Sequence, residues 1–399
     1  MLYPAPPLLK TALPDNVNAA LATKPPLALY IHWPFCVSKC PYCDFNSHVR
    51  ASVDQTAWAT ALLKDLAYEA SLMPGRTLGS IFFGGGTPSL MPPATVATLI
   101  DAATHHWRVA DDLEITLEAN PSSVEAARFA DLASAGVNRS SLGLQALDND
   151  ALQFLGRAHD VAEGLAALDT AQARFARVSF DLIYARPDQS ADDWARELDR
   201  AIGFGTEHLS LYQLTIEPGT RFATLVQQGK LKPVDNDRAA DLFEFTRATT
   251  AGRGLPAYEI SNHARAGAQS RHNLTYWRYN DYAGIGPGAH GRRGGLATVR
   301  HKKPENWMAA VQRNGHGLSS ESPLQPAERA TEALLMGLRL GEGVNIAEIT
   351  AKTGFASLVD EKATQHLEEL GLLSLTGGQL CVTERGVPLL DAILAKIIA

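Results

Sequence analysis

LALYIHWPFCVSKCPYCDF, residues 27–45, runs from a seven-residue stretch of β character straight into three cysteines. Leu27–Trp33 is apolar and β-branched or aromatic enough to be a buried strand. Trp33-Pro34-Phe35 ends it, and Cys36-x3-Cys40-x2-Cys43 follows on one short loop. Three of the four cysteines in the 399 residues fall within eight positions, and the fourth, Cys381, is remote. That distribution is not a disulfide framework; it reads as a metal site in a reducing cytoplasm. A structural zinc site wants four ligands in paired groups, and there is no second pair. Three thiolates suit a cubane iron–sulfur cluster, holding three irons and leaving the fourth open to a ligand that is not protein. Cys36, Cys40 and Cys43 are therefore the expected metal ligands.

Outward from this stretch the chain alternates strands with helices. SIFF (80–83), LEITLEA (113–119), RSSLGLQ (139–145), RVSFDLIY (177–184) and HLSLYQLT (208–215) read as further strands. Stretches of helical periodicity separate them, such as VEAARFADLASAG and WARELDRAIGFG. Six βα units predict an α/β fold, a partial (β/α)6 TIM-like barrel whose chemistry sits at the C-terminal strand ends. The suspicious polar groups gather there: the cysteines after the first strand, GGGTP (84–88) after the second, Glu118 and Gln145 closing the third and fourth, Asp181 within the fifth. Residues 235–252 read as a helix, and 256–300, rich in Gly, His, Tyr and Asn, as loop and short strand. From Pro326 helices return, followed by a Gly-Gly hairpin (LLSLT, QLCVT) and a last helix, ERGVPLLDAILAKIIA, as in a small winged-helix-like module. The expected organisation is an irregular arm at 1–24, the barrel at 25–216, a barrel extension at 217–325 and the helical module at 326–399.

Composition is ordinary for a globular chain, with 45% hydrophobic and 20% charged residues. A net charge of -7 offers no footprint for nucleic acid. The amino-terminal stretch lacks the basic and apolar regions of a signal peptide. The uncharged run 77–100 is broken by four glycines and three prolines, which excludes a membrane helix. No intrinsic membrane segment is expected.

CxxxCxxC at the end of a first barrel strand resembles the radical S-adenosylmethionine (SAM) superfamily. With YIHWPFC, GGGTPS, SLGLQ and DLIY in order, the chain resembles the oxygen-independent coproporphyrinogen III oxidase-like family over residues 25–399. The resemblance implies a [4Fe–4S] cluster whose open iron is chelated by S-adenosylmethionine. It also implies that Tyr30, Gly85, Gly86, Thr87, Glu118, Gln145, Arg157 and Asp181 surround that cofactor. Asp181 and Gln145 suit ribose hydroxyls, Arg157 a bidentate pair with the methionyl carboxylate, and Glu118 the ammonium or sulfonium. The chain departs from the family in reading DLIYARP for DLIYGLP.

A second departure is chemical. The family's decarboxylases resemble CxxxCxxCxC, and the position of their extra cysteine is Phe45 here. A phenyl ring offers no thiol, so coproporphyrinogen oxidase activity is not expected. The motif His272-Asn-Leu-Thr-Tyr276-Trp277 resembles instead the HNxxYW of a haem-chaperone branch of the family. That branch implies haem as cargo, with His272 or Tyr276 as axial ligand and Trp277 stacked on the macrocycle. It implies delivery to haem proteins, membrane respiratory subunits among them, from a cytoplasmic carrier that meets the membrane only through its partner. A homodimer is compatible with the sequence. His290 and His263 are weaker ligand candidates, His48 a local loop contact, and His105–His106 a solvated pair. The alternatives are anaerobic decarboxylation of coproporphyrinogen III through a 5′-deoxyadenosyl radical, or radical methyl transfer. Gly286-Pro-Gly288-Ala-His-Gly291 matches G-x-G-x-x-G but is read as a tight loop, since neither an apolar strand before it nor a helix after it is apparent.

Overall fold

The computed structural model describes residues 24–50 and 52–398. The arm expected at 1–24 lies outside the described residues, apart from Lys24. The six expected strands are present: β1 (Leu27–Trp33), β2 (Thr77–Gly85), β3 (Arg108–Ala119), β4 (Arg139–Gln145), β5 (Arg177–Tyr184) and β6 (His208–Gln213). They pair in parallel in sequence order and form the partial α/β barrel. Crossover helices include α1 (Gln55–Ser71), α2 (Pro93–His106), α3 (Val161–Arg174) and α4 (Ala191–Gly203). The stretch VEAARFADLASAG forms two short helices, Ser123–Ala126 and Phe129–Ser134, rather than one.

Alternation along the strands sorts the two faces of the sheet. Leu29, Ile31 and Trp33 of β1 pack outward with Trp58, Leu62 and Leu66 of α1 in the main core. Ala28, Tyr30 and His32 face inward, in register with Ser80, Phe82 and Gly84 of β2. The inward positions of later strands carry Glu114, Thr116 and Glu118, then Arg139 and Ser141, then Ser179 and Asp181. A barrel interior lined this way needs a polar filling.

The segment 217–325 supplies it and widens the sheet. α5 (Asn236–Gly252) leads to β7 (Asn262–Ala264), antiparallel to β6. Then comes α6 (Arg271–Trp277), which contains the HNxxYW motif. The sequence expectation for 256–300, loop and short strand, is corrected here. α6 has seven residues, too short to persist alone. Two caps hold it: Ser270 Oγ accepts from Asn273 N at 3.3 Å, and Glu114 Oε1 accepts from the N–H groups of Arg271 and His272 at 3.0 and 3.3 Å. Glu114 lies on the barrel's inner face, so the helix is capped by the barrel it fills.

β8 (Tyr282–Ile285) then pairs in parallel with β1, and β9 (His290–Arg293), β10 (Leu296–Arg300) and β11 (Leu318–Pro323) continue outward as antiparallel neighbours. α7 (Pro304–Asn314) links β10 to β11. The GxGxxG stretch does follow an apolar strand, β8, contrary to the sequence reading. Because a strand and not a helix comes next, it is a tight loop all the same, with Gly286 and Gly288 at φ 92° and 78°.

The carboxyl-terminal region has its own core, built on α8 (Pro326–Gly337), two further helices and a three-stranded sheet. Gly377 and Gly378, both at positive φ, turn its hairpin. The final helix, α9 (Leu390–Ile397), is shorter than expected from sequence, since Pro388 confines the preceding residues to a 3-10 turn. Its apolar face (Leu390, Ile393, Leu394, Ile397) is buried in this core.

Candidate functional site

Pro34 stops β1, and the chain after it is tied back by a two-residue parallel pairing, Phe35 with His48 and Cys36 with Val49. The loop so closed carries Cys36, Cys40 and Cys43, all free thiols and all partly exposed. Each thiol meets a donor from a different piece of chain. Thr87 Oγ1 donates to Cys36 Sγ at 3.5 Å, Arg157 Nη1 donates to Cys40 Sγ at 3.4 Å, and Ser47 Oγ lies 3.8 Å from Cys43 Sγ. Such donors favour thiolate, while burial pushes the Cys36 thiol up. Among the described residues no three His, Cys, Asp or Glu side chains are gathered closely enough for a single metal ion. Three thiols on one loop suit a cluster in which each thiolate takes its own iron.

The glycines of GGGTP do something the sequence did not show. β2 runs on through Gly85, still paired to Trp33. A Cβ on Gly84 would stand 2.7 Å from the Tyr30 ring, on Gly85 2.7 Å from Trp33 O, and on Gly86 2.7 Å from Phe35 O and 2.9 Å from Cys36 Sγ. Gly86 N donates to Trp33 O at 2.7 Å and Thr87 N to Phe35 O at 2.9 Å. Glycine is thus needed first for close packing against the cysteine loop, and Gly85, at φ 118°, also for its conformation. Gly86→Ala is expected to displace that loop, so that reconstituted protein binds less than half the iron and sulfide of the parent while keeping its far-ultraviolet circular dichroism.

Around the strand ends the polar residues converge as expected. Gly85 N donates to Glu118 Oε2 at 3.2 Å. Burial, and after it the nearby Asp181 carboxylate, pushes the Glu118 carboxyl up to about 8. Burial also raises Asp181 to about 6, against hydrogen bonds from Ser210 and Ser141. Gln145 takes a left-handed backbone, φ 70°, and its Oε1 is buried without a partner. An orphaned acceptor and a neutralised carboxyl at one strand-end mouth fit a ligand that brings hydroxyls and positive charge.

Arg157 differs from its expected role. Its Nη2 donates to Asn120 Oδ1 at 2.7 Å and to Gly143 O at 3.0 Å, and its Nη1 goes to Cys40, which leaves only Nε unpartnered. That guanidinium is not a free fork for a carboxylate. It is placed to donate to Cys40 Sγ, and on a cluster ligand such a donor favours the more negative, reduced state. Arg157→Gln is expected to lower the cluster's reduction potential, read by potentiometric titration followed by electron paramagnetic resonance.

Two residues were missed. His32, two positions after Tyr30 and so on the same face, donates from Nε2 to Asn46 O (3.0 Å), which leaves Nδ1 to accept from Tyr30 Oη (2.9 Å). Asn46 Nδ2 in turn donates to Pro287 O at 2.9 Å and Lys302 O at 3.0 Å, tying the cysteine loop to the far sheet edge. The period-2 position of His32 was a legible signal; the reach of Asn46 across some 240 residues was not.

Comparison with known proteins now bears on this arrangement. Residues 30–201 match the radical SAM superfamily and residues 324–389 the HemN C-terminal domain. The chain is 38% identical to "Heme chaperone HemW" of Escherichia coli K12, over 94% of this chain and 99% of that protein. It is 40% identical to the mitochondrial "Radical S-adenosyl methionine domain-containing protein 1" of Bos taurus, over 93% and 87%. This chain belongs to the HemW family of radical SAM proteins. Its fold matches that of the E. coli coproporphyrinogen III oxidase HemN, with a TM-score of 0.78 over 94% of this chain and 91% of that one, at 23% identity.

In this HemW-family chain the HNxxYW residues are split between core and cavity. His272 is 1% exposed and stacks on Phe82 with ring centroids 4.9 Å apart. Its Nδ1 is 3.0 Å from Ser80 Oγ and its Nε2 2.6 Å from Tyr276 Oη. Burial lowers it to about 3. The expectation that His272 offers a nitrogen to iron is corrected: both nitrogens are engaged because α6 fills the barrel. Tyr276 and Trp277 reach a cavity of about 470 Å³, beside Tyr30, His32, Gly85 and Glu118. Burial raises the Tyr276 phenol, which opposes phenolate ligation. Of the other histidines, His263 is buried with Nδ1 2.8 Å from Thr250 Oγ1, His48 Nε2 is 3.2 Å from Asn46 Oδ1, and the His105–His106 pair is exposed. His290 lines the cavity.

Proposed function

We infer that this protein is a haem chaperone: it holds a [4Fe–4S] cluster on Cys36, Cys40 and Cys43, binds S-adenosylmethionine beside it, and passes haem to haem proteins. The observation that carries this is the 38% identity to a heme chaperone across 99% of that protein's length. The cavity supports it, since its 470 Å³ lies against both the expected cofactor residues and the aromatic end of α6. Bound S-adenosylmethionine supplies the open iron with its missing ligand and a sulfonium centre. The chain's own contributions are separate. Tyr30, Gly85, Gly86, Thr87, Gln145 and Asp181 bound the cofactor, Glu118 answers its charge, and Arg157 steadies a cluster thiolate. Tyr276 and Trp277 give the cargo an apolar wall.

Delivery is to soluble or respiratory haem proteins from the cytoplasm. No helix among the described residues is long and apolar enough to cross a membrane. In this reading membrane contact passes through the acceptor. Nucleic acid is not a partner, and a homodimer is the assembly to test. Phe45, 62% exposed and on the cavity wall, stands where the decarboxylases resemble one another in having a cysteine. The test is anaerobic titration of cluster-loaded protein with haem, followed in the Soret band. Saturable one-to-one binding, with added coproporphyrinogen III left unchanged under reductant, is the expected result. Non-saturable binding together with coproporphyrinogen turnover would overturn it.

A further inference from the structure

One wall of the cavity has no role in the assignments above. His290 and Arg292 lie two residues apart on β9 and both line the cavity. Arg293, one position on, faces the opposite side of the sheet, where it pairs with Glu69 at 2.9 Å. Arg292 is in register with Tyr282 of β8, which lines the cavity too.

Arg292 is 8% exposed. Its guanidinium lies 3.7 Å from the Tyr279 ring centroid and 5.3 Å from that of Tyr282. Nη2 donates to Asn280 O at 3.0 Å, while Glu332 stays 3.9 Å from Nη1, beyond hydrogen-bond reach. Nε is buried with no partner. A buried cation with an open donor on a cavity wall suits a carboxylate that arrives with a ligand. His290 is the opposite of His272: it is exposed and lines the cavity. A neutral imidazole there offers a lone pair to a metal.

The cavity also keeps its carboxyl and its guanidinium apart. Glu118 on β3 and Arg292 on β9 are separated by β2, β1 and β8 in the sheet. The acidic end suits the cationic cofactor and the basic end an anionic one.

Resting on the haem-carrier reading, we propose that haem seats against the β8–β9 wall, with His290 ligating its iron and Arg292 binding a propionate. The macrocycle then lies against Tyr276, Trp277 and Phe45, whose rings offer apolar faces. Ligation is donation of the imidazole lone pair to iron, with no change of oxidation state.

The experiment is anaerobic haem titration of full-length, cluster-loaded protein: parent, His290→Ala, Arg292→Gln and His272→Ala. The expected result for His290→Ala is a shifted Soret band, loss of the imidazole-type electron paramagnetic resonance signal, and return of both on adding free imidazole. Arg292→Gln is expected to bind haem roughly tenfold more weakly. It should also no longer distinguish haem from iron protoporphyrin IX dimethyl ester, which the parent binds less well. Saturable binding by the parent with an unchanged spectrum in His290→Ala sinks this seat and leaves the carrier reading intact. So does loss of the imidazole signal in His272→Ala with His290→Ala unaffected. No saturable binding by the parent sinks both.

Discussion

Arg300→Met is expected to lower the free energy of unfolding by about 3–5 kcal/mol, because it strands the buried Asp65 carboxylate and takes one of two arginine partners from Glu69. Arg300 at the end of β10 is fully buried, and so are Asp65 and Glu69 on α1. Arg300 Nε donates to Asp65 Oδ2 at 2.7 Å and Nη2 to Glu69 Oε2 at 2.9 Å. Asp65 also accepts from Gly286 N at 3.1 Å, Trp307 Nε1 at 3.1 Å and Gly317 N at 3.0 Å, so one carboxylate gathers the loop before β9, helix α7 and the start of β11. Glu69 accepts from Arg293 Nε at 2.9 Å. These bonds join the first barrel helix to the outer strands that carry the cavity wall. Among the described residues Arg300 is the only full positive charge bonded to Asp65, and removing it leaves the carboxylate's charge in a dry site. Urea unfolding followed by the fluorescence of the stacked Trp58–Trp307 pair, whose ring centroids are 5.1 Å apart, measures the loss. An unchanged midpoint would show that water reaches the site. Haem affinity should fall with it, since the β8–β9 wall loses its anchor.

S-adenosylmethionine is expected to bind cluster-loaded protein more than tenfold more weakly at pH 6 than at pH 8, through Glu118. With its carboxyl raised to about 8, Glu118 is neutral at pH 6 in the ligand-free protein. A cationic ligand favours the carboxylate, so binding at pH 6 must first remove a proton held two pH units above ambient, about a hundredfold in the equilibrium. The ligand's own ammonium, which titrates near pH 8, takes back part of that gain. Affinity therefore rises with pH from 6 and levels off near 8. Glu118→Gln should flatten the profile. Calorimetry at pH 7 in buffers of different ionisation enthalpy should show proton release that the variant lacks. A flat profile in the parent would place the cofactor's charge away from Glu118.

Much of the site was written in local sequence. The cysteine spacing sits in one loop, and Glu118, Gln145 and Asp181 each follow from where an apolar run ends. Residues that act through distant partners were misread. Arg157 has the chemistry of a carboxylate clamp, yet its fork is already engaged by Asn120, Gly143 and Cys40, which come from three other segments. His272 has the chemistry of a haem ligand, yet Ser80 lies 192 positions away and closes its Nδ1. His290 looked weak because nothing in GPGAHG says that a strand follows and turns it onto a cavity.

The sequence alone determined the six βα units and the placing of three cysteines on one short loop. Periodicity and residue type are enough for these, because each is settled within a dozen neighbouring residues. Only the tertiary structure decided that HNxxYW is a helix inside the barrel. A seven-residue segment has no stable local preference, and Glu114, more than 150 positions upstream, caps it. The same packing decided which histidine is closed and which stands on the cavity wall, since the hydrogen bonds that close an imidazole come from residues the chain order keeps far apart.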